Sequence, residues 1–169
     1  MKILSVTTLL LIALTTFAGN QSSADFTLII EVPKINVSEY HAPYIASWIE
    51  DSNHQTVIPT SLWYDNQKKW LKDIRQWWRK TGRTQSAPYD GVTGATRKPG
   101  KHKITLKSDE IASHLKKGKY SLFIEASREV GGREVLEIPF DWPLTENFTK
   151  SVNGQFELST VTLQIKFNQ

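Results

Sequence analysis

The 169-residue chain has no cysteine and a single methionine. Without thiols there is no disulfide scaffold, no thiolate zinc site, no cysteine-held iron–sulfur cluster and no cysteine nucleophile. Stability must come from an apolar core, and a domain of this length can bury roughly 68–70% of its unfolded surface. Beyond residue 18 there is no apolar run long enough to span a bilayer. Charge of one sign is also scarce. The net charge of +4 points to nucleic acid only if the basic residues cluster with base-stacking aromatics. Internal repeats and low-complexity tracts are missing, and the composition is that of an ordinary folded protein. The length suggests one domain.

The first residues are set apart. Met1 and Lys2 precede an apolar run from Ile3 to Ala18, and then the small polar stretch Gly19 to Ala24. One positive charge, a short hydrophobic segment and a small-x-small exit are the parts of a secretory signal peptide. Cleavage is expected after Ala24, with Ala18 as the second choice. Residues 1–24 are then a signal peptide and residues 25–169 the mature chain, which loses only the charge of Lys2 and keeps no membrane span. A cysteine-free exported chain suits a Gram-negative periplasm.

The mature chain reads as mainly β. Phe26–Val32, Pro43–Ile49, Thr56–Tyr64, Lys103–Lys107, Lys119–Ser127, Glu134–Phe140 and Gln155–Phe167 have strand character, with turn chemistry between them. About seven short strands at this spacing argue a β-sandwich. One segment has another period. Between 65 and 80, Trp70, Leu71, Ile74, Trp77 and Trp78 recur as i, i+1, i+4, i+7 and i+8, the stripe of an amphipathic helix. Asp65 could cap it, and Gly82 ends it. Its opposite face carries Lys68, Lys69, Lys72, Arg75, Arg79 and Lys80. With the tryptophans confined to one stripe, packing against a sheet with a solvated basic face is favoured over nucleic-acid binding. From 81 to 101 neither period holds, and a connection of that length is usually functional or disordered.

Familiar catalytic patterns are absent. The four histidines, His41, His54, His102 and His114, show no metal-ligand spacing. No G-x-S-x-G elbow occurs, and the carboxylates fall where strands and turns would expose them. Trp142 and Tyr89 are not obviously core, so either could stack a ring. The sharpest feature is Asp90-Gly-Val-Thr-Gly-Ala-Thr96 in the long connection. Two glycines and an alanine leave it pliant and uncrowded beside the Thr96 hydroxyl, so it could enter another enzyme's active site in extended form. It could equally be a turn-rich structural loop.

That stretch resembles the D-x-x-[ST]-[SG]-A-T acceptor sequence of ApbE-type flavin transferases, magnesium-dependent enzymes that cleave FAD and attach FMN to the last threonine. The resemblance implies Thr96 as the FMN attachment site and Asp90, Thr93, Gly94 and Ala95 as the recognition sequence. Arg97 and Lys98 would lie near the phosphate. A second resemblance rests on Pro43–Glu50, Ser61–Trp63, Lys69–Trp78, Thr93–Gly100 and Gly118–Ala126. These are similar to a family of predicted periplasmic proteins of unknown function, associated with PepSY-type membrane proteins and flavin transferases. The Gly-x-Tyr strand at Gly118–Tyr120 is similar to immunoglobulin-like domains. Acceptors of this motif commonly carry it in a dedicated FMN-binding fold, of which this sequence shows no sign.

Two expectations follow. In the first, residues 25–169 form an immunoglobulin-like β-sandwich that carries covalent FMN on Thr96 and relays electrons to or from a PepSY-type membrane redox protein after modification by a flavin transferase. Trp77, Trp78, Tyr89 and Trp142 are the candidate shelves for the flavin ring. In the second, the same sandwich is a cofactor-free binding or assembly module. A non-catalytic role is favoured over an enzyme, and no metal and no nucleic acid are expected.

Overall fold

A computed structural model describes residues 23–65, 67–84 and 93–168. The chain folds as a β-sandwich of two sheets. The first holds β1 (Ser23–Val32), β5 (Gly100–Thr105), β8 (Phe148–Asn153) and β9 (Thr160–Asn168) in the order β5-β1-β9-β8. The second holds β2 (Tyr44–Asp51), β3 (Thr56–Trp63), β4 (Thr93–Gly94), β6 (Gly118–Ser127) and β7 (Arg133–Trp142) in the order β4-β3-β2-β6-β7. All pairings are antiparallel except the short β3–β4 one. β1 begins at Ser23, and Ala24 is buried opposite Phe167, so the sheet reaches just upstream of Asp25, the expected start of the mature chain.

The alternating strands close one core between the sheets. Phe26, Leu28 and Ile30 of β1 meet Leu122 and Ile124 of β6 and Ile138 and Phe140 of β7, all buried. Trp142 belongs to this core. It is 7% exposed and lies 5.7 Å from the Phe26 ring. The expectation that it stands clear as a ring-stacking surface is therefore corrected: the last inward position of β7 carries it between the sheets.

The second sheet is covered on its outer face too. β2 is buried at nearly every position, because Tyr44, Ala46 and Trp48 face a second apolar cluster with Leu62, Phe123, Leu71, Ile74 and Trp77. Trp48 stacks on Phe123 at 5.5 Å. The Trp-rich stripe thus packs on a sheet, as its spacing demands, but its helix is not continuous. Residues Lys68–Asp73 form a 3-10 turn, and α1 (Arg75–Lys80) starts after a break at Ile74, whose ψ is 75°. The cause is a carboxylate from the sheet. Glu125 of β6, fully buried, accepts the backbone N–H groups of Gln76 at 3.0 Å and Trp77 at 2.7 Å. It caps a new helix there and satisfies donors that would otherwise be orphaned. Asp65 does not cap the segment but binds Tyr44 and the Gln67 N–H. A second short helix, α2 (Ser108–His114), follows β5 and lies against β1.

The carboxylates correct another expectation. Glu50, Glu125, Glu134 and Glu157 are buried, because covering loops and α1 enclose positions that a bare two-sheet pattern would leave in water. Each has structural partners, although Glu50 Oε2 accepts no hydrogen bond among the described residues. Glu50 meets Lys80 at 2.9 Å and the Trp48 indole N–H at 2.6 Å. Glu157 pairs with Arg128 through two hydrogen bonds. Glu134 accepts the backbone amides of Gln155, Phe156, Glu157 and Leu158 at 2.6–3.2 Å. That last contact explains why β9 starts at Thr160 rather than at Gln155: the intervening residues wrap around one side chain.

Candidate functional site

The region to interrogate is the end of the long connection. Asp90, Gly91, Val92 and Tyr89 lie outside the described residues. From Thr93 the chain returns as β4, which runs parallel to the end of β3, with Thr93 opposite Leu62 and Gly94 opposite Trp63. The Tyr64 N–H donates to the Gly94 carbonyl at 3.0 Å. A Cβ on Gly94 would sit 3.4 Å from Cδ1 of Trp63, at the near limit of ordinary contact, so the segment runs close against the indole.

Past this anchor the residues alternate in exposure. Thr93 and Ala95 face solvent, while Gly94 and Thr96 are half-buried. Thr96 lines a cavity of about 80 Å³ with Tyr44, Asp65, Trp70, Asp73 and Glu129. Its hydroxyl forms no hydrogen bond among the described residues. The cavity wall is ordered. The Tyr44 hydroxyl donates to the Asp65 carboxylate, and the Gln67 N–H donates to the same oxygen at 2.6 Å. Burial first, and then the hydrogen bond to Asp65, push the Tyr44 phenol well above its ordinary pKa. The Trp70 indole N–H donates to Gln67 Oε1 at 3.0 Å, and Lys69 Nζ stands 4.7 Å over its ring. With Asp65, Asp73 and Glu129 around it, the cavity is acidic.

Arg97 turns the other way. Its guanidinium lies 5.5 Å over the Trp63 ring, in the wall of a separate groove that Thr96 does not line. The alternation of extended residues thus sets the Arg97 side chain apart from the Thr96 cavity. Lys98 is exposed, and its carbonyl accepts from His102 Nε2 at 2.7 Å.

Of the proposed ring shelves, Trp77 is 1% exposed and belongs to the cluster under α1, so it is core, as Trp142 is. Trp78 is half-buried. The aromatics beside Thr96 are Tyr44 and Trp70, the latter a residue of the helical stripe. The helical wheel carried no signal for this, since Trp70 lies nearer the centre of the stripe than the fully buried Leu71 and Trp77. Among the described residues no group of three or more side chains is placed to hold a metal ion. His41 approaches Glu39 at 3.0 Å and Glu129 at 3.8 Å, while His54 and His114 are exposed.

A family model described as "Predicted periplasmic protein (DUF2271)" matches residues 25–160. The chain belongs to this family. No curated protein and no solved structure matches it. Membership in DUF2271 gives the chain a periplasmic location, and the match runs from β1 through β8 and includes the Thr96 segment. No helix among the described residues is long and apolar enough to cross a membrane.

Proposed function

We propose that this DUF2271 protein is a periplasmic flavin carrier with FMN held covalently on Thr96. The observation that carries the reading is the state of that hydroxyl. It lies two residues beyond the anchored β4, is partly exposed, and is without a hydrogen-bond partner among the described residues, so a transferase can reach it without opening the core. The acceptor-like residues Thr93, Gly94 and Ala95 precede it on a segment fixed at only two positions.

The residues fit the group in a particular way. A cavity of about 80 Å³ is far below the roughly 300–1,000 Å³ of small-molecule pockets, so a flavin ring would be held against the surface rather than enclosed. The carboxylates of Asp73 and Glu129 work against drawing a phosphodiester inward. The Trp70 ring, with Tyr44, supplies aromatic surface within the same wall. An exposed ring suits a carrier that meets a PepSY-type membrane partner. In the modification step the Thr96 oxygen bonds to the FMN-side phosphorus of FAD, the pyrophosphate bond breaks, AMP leaves, and the hydroxyl proton passes to the transferase. Once bound, FMN supplies the electron transfer, and the protein sets its exposure and electrostatics.

Co-expression with a flavin transferase tests this. A fluorescent band on a denaturing gel that disappears in Thr96→Val supports the reading. A dark band, or fluorescence unchanged by the substitution, overturns it. The second reading, a cofactor-free binding or assembly module, is favoured by the pairing of Thr93 and Gly94 with β3, which gives the segment a structural role. It makes Thr96→Ala redox-silent, with any effect confined to stability.

A further inference from the structure

The two sheets leave one side of the sandwich open. β5 ends the first sheet, and β3 with the short β4 ends the second. Between these edges runs a groove of about 430 Å³, within the size of small-ligand sites. Its charged lining is of one sign: Arg97, Lys101, Lys103 and Lys107, with His102 beside them and no carboxylate among the lining residues.

The cations are not merely scattered. The Arg97 guanidinium stacks over Trp63 at 5.5 Å, and the His102 ring meets the same indole edge-on at 5.7 Å. The Lys98 carbonyl holds His102 in place. A stacked guanidinium has lost part of its conformational freedom before any ligand arrives and still presents its fork of N–H donors. Trp63 is 4% exposed, and its indole N–H has no hydrogen-bond partner among the described residues. That edge of the ring lies against Gly94 and close to Arg97. Lys101 meets Glu31 at 3.8 Å and Lys107 meets Glu110 at 3.4 Å, both exposed pairs of a weak kind. Arg97 and Lys103 have no ion-pair partner among the described residues. By contrast, the hydroxyls of Thr60 and Ser61 are engaged with Ser47 at 2.6 Å, so the donors left to a ligand are the cations, the indole and the hydroxyls of Thr93 and Thr105.

We infer that this groove binds a compact polyanion bearing phosphate groups, held by the Arg97 fork and Lys103 with the Trp63 N–H as a neutral donor. Planar guanidinium donors match phosphate oxygens bidentately, and a lining without carboxylates removes the repulsion that excludes anions from the Thr96 cavity. The site is independent of the flavin reading and can be measured on unmodified protein.

The test titrates the full-length mature protein with inorganic pyrophosphate, using sulfate at equal ionic strength as the control. In parallel the protein is sedimented with phosphatidylglycerol vesicles. Saturable pyrophosphate binding, weakened at least tenfold in Arg97→Gln and several-fold in Lys103→Gln, supports the inference. Arg97→Lys should restore only part of the affinity, since the fork is lost. Lys119→Gln, on an exposed residue of a different cavity, should change nothing. Vesicle capture that pyrophosphate competes away assigns the phosphate to a lipid headgroup. Pyrophosphate binding without capture assigns it to a soluble ligand. Absence of both, or binding indifferent to Arg97→Gln and Lys103→Gln, overturns the proposal.

Discussion

Replacing Glu125 by alanine should release α1 from the sheet. The carboxylate is fully buried and serves three donors: the N–H of Gln76 at 3.0 Å, the N–H of Trp77 at 2.7 Å, and Arg133 Nε at 2.5 Å. The Trp77 amide is deep in the structure and is left unsatisfied, at a cost of about 1–3 kcal/mol. Gln76 is only half-buried and recovers water in part. Arg133 is one-third exposed, so its guanidinium turns to solvent at little further cost. The sum is about 2–4 kcal/mol, a large share of the 5–15 kcal/mol typical of a domain, and a fall in Tm of about 6–12 °C. Glu125→Gln keeps one acceptor but faces the second amide with its own N–H, and should lose about half as much. Urea unfolding followed by tryptophan fluorescence measures the loss, and near-ultraviolet circular dichroism reports Trp77 leaving its site. The 3-10 turn that holds Trp70 beside Thr96 is joined to α1 through Ile74 alone, so the cavity wall should loosen as well. A Glu125→Ala protein within 0.5 kcal/mol of wild type, with unchanged dichroism, would refute the capping role.

Further outcomes can be checked independently. Gly82→Ala places a Cβ 2.5 Å from Trp77 Cζ3 and 2.7 Å from Trp78 Cε3, and this overpacking should cost about 1–3 kcal/mol in chemical denaturation. Glu134→Ala orphans the four amides of residues 155–158; a new site of limited proteolysis should appear there, and an unaltered digest would count against the reading. Tyr44 and Tyr40 both have raised pKa values, each chiefly from burial, so in a phenolate absorbance titration two of the five tyrosines should lag. Because the neutral phenol is the favoured folded form, the stability that Tyr44 contributes is complete below its unfolded pKa of about 10 and is lost as pH rises toward its folded value. Tyr44→Phe should flatten that alkaline decline, and five tyrosines titrating together would contradict the burial argument.

Most of the β-sandwich was legible as alternation, because inward residues such as Phe26, Leu28 and Ile30 must repeat at period two wherever one face is buried. The helical stripe correctly marked Leu71, Ile74 and Trp77 as buried. What periodicity could not carry was contact between distant residues. The break at Ile74 is imposed by Glu125, and the late start of β9 by Glu134, each from a strand far along the chain. The same blindness put the buried carboxylates in solvent and left Trp142 outside the core. At the candidate site the motif located Thr96, but which way each neighbour points is a property of the extended backbone after Gly94. That geometry separates Arg97 from Thr96 and brings Trp70 and Tyr44 to it.

The most direct test of the central claim is peptide mapping by mass spectrometry of protein exported in the presence of a flavin transferase. The account predicts one FMN, less the elements of water, on the peptide containing Thr96, and none on that peptide in Thr96→Val. An unmodified Thr96 in protein recovered from a periplasm where a control acceptor is fully flavinylated would contradict it.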